Sequence, residues 1–245
     1  MKIDKNFFID NFKNIFYALI IAILIRSIII QPFYIPSSSM EPNLLIGDRL
    51  FVSKYSYGYS RHSLPFSPKI FTGRILDKMP KRGDIIVFKT PADNRTDYIK
   101  RLIGLPGDTV QIINQDLYLN NIKIKKKKIE RSININCGSE ILDSNFFEET
   151  LPNGKKYLAV YRKEGTMMNT DKFIVPKNHY FFMGDNRDCS KDSRFLSSVG
   201  YVSFNNLVGK AQLIFFSNNK KKGSFFEFWK WNRSIRIDRF WNKIK

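Results

Sequence analysis

One segment near the start of the chain constrains its fold more than any other: residues 14–33 form an almost unbroken apolar run. The run contains a single charge, Arg26, which lies past its middle. About 20 apolar residues in a helix cross the hydrocarbon core of a bilayer, and a long basic side chain toward one end of such a helix reaches the interface. The sequence therefore predicts a transmembrane helix over residues 14–33.

The charges on the two sides of this run do not decide its orientation. Lys2 and Lys13 precede it, and Arg49 and Lys54 follow it. A large domain that follows such a helix crosses the membrane largely regardless of its charge. We expect residues 1–13 to lie in the cytoplasm and the remainder of the chain to lie on the outer side.

Two other interpretations of the run are a buried core helix and a removable signal peptide. The second requires cleavage near Ser37 or Ser39, where small residues occur. That position lies well beyond the apolar run, and Pro36 and Pro42 flank it closely. Both features disfavour cleavage there.

Beyond the run, short apolar stretches alternate with turn residues. They include RLFVSKY, GDIIVFKT, DYIKRLIG, DTVQIIN, KYLAVYR, HYFFMGD and LVGKAQLIFF. Their β-branched and aromatic residues are typical of strands, and no long amphipathic helical pattern competes with them. We predict a mainly β fold, with an antiparallel β domain over residues 34–217. Residues 54–81 and 121–172 interrupt the pattern, and the second segment is expected to form an inserted subdomain.

The chain is strongly basic, with 41 Lys and Arg against 22 Asp and Glu and a net charge of +19. Such a charge favours anionic neighbours, either phospholipid or nucleic acid. Residues 218–245 interleave Lys and Arg with Phe and Trp, a mixture typical of a membrane interface. A solvated basic tail and a nucleic-acid-binding tail are the alternatives. A biased genome also enriches Lys, so the net charge alone is not evidence of function.

Cysteine and histidine are scarce. Cys137, Cys189, His62 and His179 are too scattered in the sequence to predict a structural zinc site. The two histidines also leave few candidates for a Ser-His-Asp triad. A hydrolase built on this chain therefore needs another base.

A cluster of hydroxyl groups follows the apolar run, in FYIPSSSMEPNLLIGD. Pro36 and Pro42 bracket the cluster and restrict its backbone. A serine held between them is a candidate nucleophile. Taken alone, such a cluster is more often a polar loop.

A lysine that could serve as the base occurs in DYIKRLIGLPGD. Lys100 lies in a predicted strand, with Tyr98 and Leu102 on the same face. Apolar neighbours disfavour the ammonium form and lower the pKa of a lysine, which acts as a base only when neutral. Taken alone, a lysine at such a position more often extends its amine to solvent.

A third motif, MGDNRDCSKDSRF, supplies Ser190 and Ser193 among alternating acidic and basic residues. The Lys and Arg residues within it argue against a calcium site. A loop held by salt bridges is the other interpretation of the motif taken alone.

In this order, the three motifs resemble those of type I signal peptidase, also called leader peptidase. The resemblance covers residues 34–53, 82–120 and 173–217 and extends to the preceding apolar run. It implies a membrane-anchored serine endopeptidase that removes signal peptides from exported preproteins at the outer side of the bacterial cytoplasmic membrane. Its partners would be signal peptides, the phospholipid membrane and the secretion machinery. No nucleic acid partner, metal or other cofactor is expected.

The resemblance also assigns roles to individual residues. Ser39 matches the nucleophile and Lys100 the general base. The Ser37 hydroxyl and the Ser39 N–H match the oxyanion hole. Ser190 matches the serine that orients the lysine amine. Asp192 and Arg194 match a supporting ion pair.

Substrate selection is implied in the same way. The family cuts after small residues, commonly alanine, at the first and third positions before the cut. Shallow apolar pockets select these residues, and the end of the signal peptide adds to a strand edge. The residues expected to line the pockets are Ile35, Pro36, Met40, Leu44, Tyr98 and Ile99.

Three residues depart from the family pattern: Ser38 stands where glycine is frequent, Asn43 where threonine is frequent, and Cys189 where asparagine is frequent. None of them removes a predicted catalytic group. The methionine directly after Ser39 identifies that serine, and not Ser38, as the nucleophile. Cys189 is compatible with a disulfide to Cys137 in an oxidising compartment and equally with a free thiol.

Two other functions are the alternatives. A self-cleaving Ser-Lys regulator shares the chemistry but carries a DNA-binding module, whereas here an apolar run precedes the serine motif. A membrane-tethered basic protein that binds anionic lipid or nucleic acid would account for the charge and the aromatic tail. It would not require the three motifs together.

Overall fold

The computed structural model describes residues 5–130, 135–138, 140–223 and 227–244, with side chains from residue 10 onward. The remaining parts of the predicted N-terminal segment, insertion and tail lie outside the described residues. Helix α1 spans Lys5–Leu24 and helix α2 spans Trp231–Ser234. The strands are β1 (Ile30–Tyr34), β2 (Asp48–Ser53), β3 (Ile85–Lys89), β4 (Asp97–Gly104), β5 (Thr109–Ile113), β6 (Asp116–Leu119), β7 (Ile122–Lys123), β8 (Lys125–Ile129), β9 (Ile135–Cys137), β10 (Glu140–Leu142), β11 (Ser144–Thr150), β12 (Lys156–Arg162), β13 (Phe173–Ile174), β14 (His179–Met183), β15 (Val202–Ser203), β16 (Leu207–Ser217) and β17 (Asn242–Lys243).

The N-terminal helix is longer at its start and shorter at its end than the predicted 14–33. Helix α1 continues into one turn of π-helix at Ile25–Ile29, and β1 follows directly. Within the described ranges, Asp10–Ile29 is long and apolar enough to cross a membrane, with a mean hydropathy of 1.9. Pro32 accounts for the early end, because proline lacks an N–H and disfavours helical backbone before it.

An antiparallel sheet, called here the main sheet, forms the centre of the β domain. Its strand order is β1-β2-β16-β3-β4-β14-β15, and β17 adds to β16. Strand β1 is the end strand, where proline is tolerated because one edge makes no ladder hydrogen bonds. Three of these neighbouring pairs, β2-β16, β16-β3 and β4-β14, are distant in sequence, so the sheet brings together segments from both ends of the chain. The predicted mainly β, antiparallel fold is confirmed.

Strand β3 shows how the main sheet is covered on both faces. Ile85 and Val87 pack into one apolar cluster, and Ile86 and Phe88 pack into another. Successive side chains of a strand point to opposite faces. The central strand is therefore apolar at every one of these positions, which explains why IIVF is a continuous apolar run in the sequence.

The segment 121–172 forms most of a second β region. Strands β8, β11 and β12 make one small sheet, and β5, β6, β7 and β13 make another. Leu151, Tyr157 and Ala159 of this segment share an apolar cluster with Ile103 and Phe181 of the main sheet. The predicted insertion is therefore packed onto the β domain through a common core.

The C-terminal residues 227–244 lie against the main sheet. Arg239 forms an ion pair with Asp48 of β2 at 2.6 Å, and the ring of Phe240 lies 5.4 Å from that of Phe216. Several large apolar side chains of this segment are nevertheless exposed, namely Phe228, Trp229, Trp231, Ile237 and Trp241. The predicted contact of these aromatics with a membrane interface stays a prediction.

Candidate active site

Ser39 and Lys100, which are 61 residues apart in the chain, are in direct contact. Lys100 Nζ donates a hydrogen bond to Ser39 Oγ at 2.6 Å and a second one to the carbonyl oxygen of Ile99 at 3.0 Å. Both residues are buried. The pair therefore has the geometry that proton transfer from a serine hydroxyl to an amine requires.

The serine is held by the turn that follows β1. Its neighbours Met40 and Leu44 are fully buried, and the Leu44 N–H donates to the Met40 carbonyl oxygen at 2.9 Å. The lysine is held by β4, where it lies opposite Ile86 of β3. Burial of the flanking residues thus fixes both partners on well-packed backbone.

Burial also sets the protonation of the lysine. Removal from water lowers the pKa of Lys100 to about 8, and the carboxylates of Asp192 and Asp185 oppose this effect. A pKa near 8 leaves a substantial neutral fraction at neutral and mildly alkaline pH, whereas an ordinary lysine has almost none. Burial is thus the physical cause of the lowered Lys100 pKa that the apolar neighbours in the sequence predict.

The third motif packs directly against the serine segment. The Asn186 N–H donates to the Ser39 carbonyl oxygen at 3.1 Å, and the Asn186 side chain donates to the Ser38 carbonyl oxygen at 3.2 Å. Gly184 lies so close that a Cβ atom there would be 2.5 Å from the Ser39 carbonyl oxygen. Neither Gly184 nor Asn186 was among the predicted site residues, although both belong to the GDN segment of the motif.

The predicted ion pair is present beneath the site. Arg194 Nε and Nη2 each lie 2.8 Å from an oxygen of Asp192, and both side chains are buried. The Gly184 N–H also donates to Asp192 at 2.9 Å. Burial alone would raise the pKa of Asp192, but the Arg194 charge and these hydrogen bonds hold it below its usual value.

Ser190 belongs to the same motif but makes no hydrogen bond to Lys100 among the described residues. It is buried against Gly184, and its hydroxyl has no hydrogen bond of ordinary geometry among the described residues. It is near enough to Asp192 to stabilise that carboxylate. Its predicted role in orienting Lys100 therefore stays a prediction.

Ser37 lies at the entrance to the site. It is exposed, and its Oγ is 3.3 Å from Ser39 Oγ. The Ser39 N–H has no acceptor within the described part of the chain. The two donors predicted for an oxyanion hole thus lie beside the Ser39 hydroxyl, and the role itself stays a prediction.

The residues predicted to line the substrate pockets divide into two groups. Ile35, Met40, Leu44 and Ile99 belong to one apolar cluster around the serine turn. Tyr98 packs in the neighbouring cluster, with its ring 5.3 Å from Lys100 Nζ. Pro36 is exposed.

A buried ion pair beside Lys100 was not predicted from the sequence. Arg101, the neighbour of Lys100, forms two hydrogen bonds to Asp185, of 2.7 and 2.8 Å. Asn43, noted above for its departure from the family pattern, donates to the same carboxylate at 2.7 Å. The pair connects β4, the third motif and the serine turn. An arginine next to the lysine was the visible signal, but its partner is 84 residues away.

A second buried network joins the insertion to the third motif. Arg187 contacts both oxygens of Glu149, at 2.5 and 3.0 Å, and the hydroxyls of Tyr157 and Tyr161. Each tyrosine hydroxyl also donates to Glu149. The network fixes the loop that carries Ser190 to the small sheet of the insertion.

The two cysteines form a disulfide, which the sequence left open. Cys137 and Cys189 are bonded, with their Cα atoms 5.2 Å apart. Cys189 directly precedes Ser190, so the bond attaches the hairpin of β9 and β10 to the third motif. No group of three or more potential metal-ligating side chains occurs among the residues that the structure describes.

The chain is similar in sequence to a known peptidase family and to its members. Residues 8–216 match the family model described as signal peptidase, peptidase S26. A signal peptidase I of Rickettsia bellii (strain OSU 85-389) is 46% identical over 218 residues, covering 85% of this chain and 73% of the relative. A signal peptidase I of Rickettsia typhi is 43% identical over 218 residues, covering 85% of this chain and 80% of the relative.

Among solved structures, a signal peptidase I from Enterococcus faecalis is 29% identical and covers 54% of this chain and 97% of its own, with a TM-score of 0.33. That score is too low to compare the folds. The family model covers most of the chain, and the relatives match over most of their own length. The resemblance inferred from the three motifs is therefore confirmed, and the chain belongs to the signal peptidase I family of serine peptidases, peptidase S26.

Proposed function

We propose that the protein is a membrane-bound endopeptidase that removes signal peptides from preproteins with a Ser39-Lys100 dyad, cutting after small residues. The observation that carries this proposal is the 2.6 Å contact between Ser39 Oγ and a buried lysine. We infer the reaction, signal-peptide removal, from membership of the family, and we infer the reacting residues from the contact between Ser39 and Lys100.

The chemistry is acyl transfer. Neutral Lys100 accepts the proton of the Ser39 hydroxyl, whose oxygen attacks the carbonyl carbon of the scissile peptide bond. The Ser37 hydroxyl and the Ser39 N–H donate to the resulting oxyanion. The protonated lysine returns its proton to the leaving amine of the mature protein. It then accepts a proton from water, which hydrolyses the ester and releases the signal peptide.

The supporting residues act through position and charge. Arg194 neutralises Asp192, so the lysine is not held in its charged form by an unpaired carboxylate. Ser190, buried beside Gly184, is the residue that we expect to orient the amine. The apolar cluster of Ile35, Met40 and Leu44 supports shallow pockets for small side chains.

The membrane part of the proposal rests on the helical segment Asp10–Ile29. Ser39 follows the end of that segment by ten residues, so a membrane-spanning helix would hold the dyad near the bilayer surface. A signal peptide emerging from the bilayer would reach it there. We place the N-terminus inside and the β domain outside the cytoplasmic membrane, beside the secretion machinery.

The decisive experiment is cleavage of a preprotein with alanine at the first and third positions before the cut, by purified full-length protein in detergent. Wild type and Ser38→Ala are expected to cut at that bond, and Ser39→Ala is expected to be inactive. Lys100→Arg should fold but not cut, because a guanidinium stays charged. Activity in the Ser39→Ala or Lys100→Arg protein would contradict the dyad.

A further inference from the structure

A polar cavity of about 300 Å³ lies beside the β domain. Neither Ser39 nor Lys100 is among the residues that line it. Gln31 and Phe33 of β1, Lys89 of β3 and Asp97 of β4 contribute to its walls. The segment 62–67, part of the stretch that matched no motif in the sequence, forms another wall. The cavity therefore lies where β1 approaches the hairpin of β3 and β4.

The two strands that line this cavity also lead to the dyad. Strand β1 passes the cavity and continues toward Ser39, and β4 begins at the cavity with Asp97 and reaches Lys100 three residues later. With a rise of about 3.3 Å per residue, the cavity lies roughly 10 Å upstream of the dyad along β4. Both strands run from the cavity to the dyad.

Both strands have a free edge on this path. Strand β1 pairs with β2 alone, as the end strand of the described main sheet. Residues 97–100 pair with β3, and β14 joins β4 only from Arg101 onward. Free strand edges accept an extended peptide as an added strand. A peptide that reaches Ser39 along these edges would pass the cavity.

The cavity carries three cationic side chains. Lys89 pairs with Asp97 at 2.9 Å, which leaves the charges of Arg26 and Arg95 uncompensated. Neither guanidinium has a hydrogen-bond or ion-pair partner among the described residues. The side chains that line the cavity thus carry a net charge of about +2.

Two buried titratable groups lie near the same charges. Lys54 is fully buried, and its amine has a carbonyl oxygen of His62 at 3.4 Å as acceptor. Burial, with the charges of Arg26 and Lys89, lowers its pKa to about 7, although Asp97 opposes the effect. Burial and the charges of Arg61 and Lys89 likewise lower the pKa of His62 to about 4.

We propose that this cavity is a subsite for an acidic side chain of the substrate, at the fourth to sixth residues before the cut. It rests on the proposed function, because the peptide must lie in the cleft in order to reach the cavity. A carboxylate there would meet Arg26 and Arg95 in charge-assisted hydrogen bonds. A basic residue would be repelled by the same groups.

An anionic lipid headgroup is the other occupant that this charge would suit, because Arg26 belongs to the helical segment Asp10–Ile29. The peptide is favoured because the strands that line the cavity are those whose free edges lead to the dyad. Arg26 and Arg95 would then favour substrates that carry an acidic side chain at this position. The two occupants are separated by experiment.

The test uses full-length protein in a neutral detergent and one preprotein with alanine at the first and third positions before the cut. The fourth, fifth and sixth residues before the cut are changed in turn to Glu, Gln or Lys. For at least one of these positions kcat/KM is expected to be roughly tenfold higher with Glu than with Lys, mainly through KM. The preference should weaken as salt is added.

Charge reversal in the enzyme sharpens the test. Arg95→Glu, which takes the net charge of the walls from about +2 to about 0, is expected to abolish the preference, and Arg95→Gln to reduce it. Lys128→Glu is the matched control, because Lys128 is exposed on β8 and lies outside the cavity. It should keep the wild-type preference.

The outcomes separate this inference from the function on which it rests. Normal cleavage of the Gln substrates with no charge preference would overturn the subsite alone. Stimulation by phosphatidylglycerol vesicles over phosphatidylcholine vesicles that Arg95→Glu abolishes, without any peptide preference, would assign the cavity to a lipid headgroup instead. Failure of every substrate would overturn the proposed function. Peptide binding to the Ser39→Ala protein, expected to be tighter with Glu than with Lys, would still decide the subsite.

Discussion

Gly184 and Ser39, the proposed nucleophile, are so close that a single added carbon would not fit between them. A Cβ atom on Gly184 would lie 2.5 Å from the carbonyl oxygen of Ser39 and closer still to the side chain of Ser190. Contacts under 3.0 Å are essentially never made by real Cβ atoms. The absence of a side chain at this glycine is what lets the third motif lie against the serine turn.

Gly184→Ala is therefore expected to displace the turn and reduce cleavage by at least a hundredfold, because small displacements of reacting atoms cost about that much. Overpacking should also lower the free energy of unfolding by about 1–3 kcal/mol. Gly154→Ala is the control, since no atom lies within 4 Å of the added carbon there, although its positive φ carries some strain. Steady-state cleavage and thermal unfolding measure the two effects, and full activity in Gly184→Ala would refute the tight packing.

The pH dependence of cleavage is expected to follow Lys100. Its pKa is lowered to about 8 by burial, and only the neutral amine accepts the serine proton. Below pH 8, kcat/KM should rise about tenfold per pH unit, and it should level off above pH 8. A profile of kcat/KM against pH measures the value in the free enzyme. A plateau that begins only near pH 10 would mean that the lysine is not desolvated.

The same shift predicts how stability depends on pH. The pKa of Lys100 is lower in the folded chain than in the unfolded chain, so between about pH 8 and the ordinary lysine value the unfolded chain binds more protons. The contribution of Lys100 to the free energy of unfolding therefore rises with pH in that window. Lys100→Met should lack this rise in denaturant titrations at pH 8 and pH 10.

Ser37→Ala tests the oxyanion hole. The Ser37 hydroxyl is 3.3 Å from Ser39 Oγ, and loss of one oxyanion donor typically reduces kcat by roughly a hundredfold to a thousandfold. We expect a fall of that size with little change in KM, and recovery in Ser37→Thr, which restores a hydroxyl. Ser38→Ala, one residue away, should retain activity. Equal losses in Ser37→Ala and Ser38→Ala would indicate a general effect on the turn.

Asp185→Asn tests the buried pair of Arg101 and Asp185. Both side chains are almost fully buried, and removal of one partner of such a pair typically costs about 3–5 kcal/mol. Glu148→Gln breaks the exposed pair with Lys156 and should cost under about 1 kcal/mol. Denaturant unfolding compares the two variants. Similar losses for both would show that the buried pair is not a structural support of the dyad.

Reduction tests the disulfide between Cys137 and Cys189, which closes a loop of 52 residues. Loops of this size predict a loss of about 2–4 kcal/mol in the free energy of unfolding on reduction. Because Cys189 precedes Ser190, cleavage should also fall. Cys137→Ser should show the same losses without reductant and no further response to it. A wild-type protein that is indifferent to reductant would argue against the bond.

Much of the molecule was determined by the sequence alone. The apolar run produced the N-terminal helix, and alternating or continuous apolar stretches produced the strands, because both depend on local side-chain periodicity. The motifs predict Ser39 and Lys100 as a catalytic pair, and the two side chains are in contact. The helical segment ends at Ile29, four residues before the predicted end, because Pro32 disfavours helical backbone in the residues before it.

Tertiary structure alone decided how the dyad is supported. Arg101 pairs with Asp185, which is 84 residues away in the sequence, and Arg187 pairs with Glu149, which is 38 residues away. No local sequence pattern predicts such partners. Gly184 is required by the close approach of two loops, not by its own backbone conformation. The depth of Lys100, and hence its lowered pKa, likewise depends on which surfaces cover it. Local periodicity depends on residues that are neighbours in the sequence, whereas burial and ion pairing arise only when distant segments pack together.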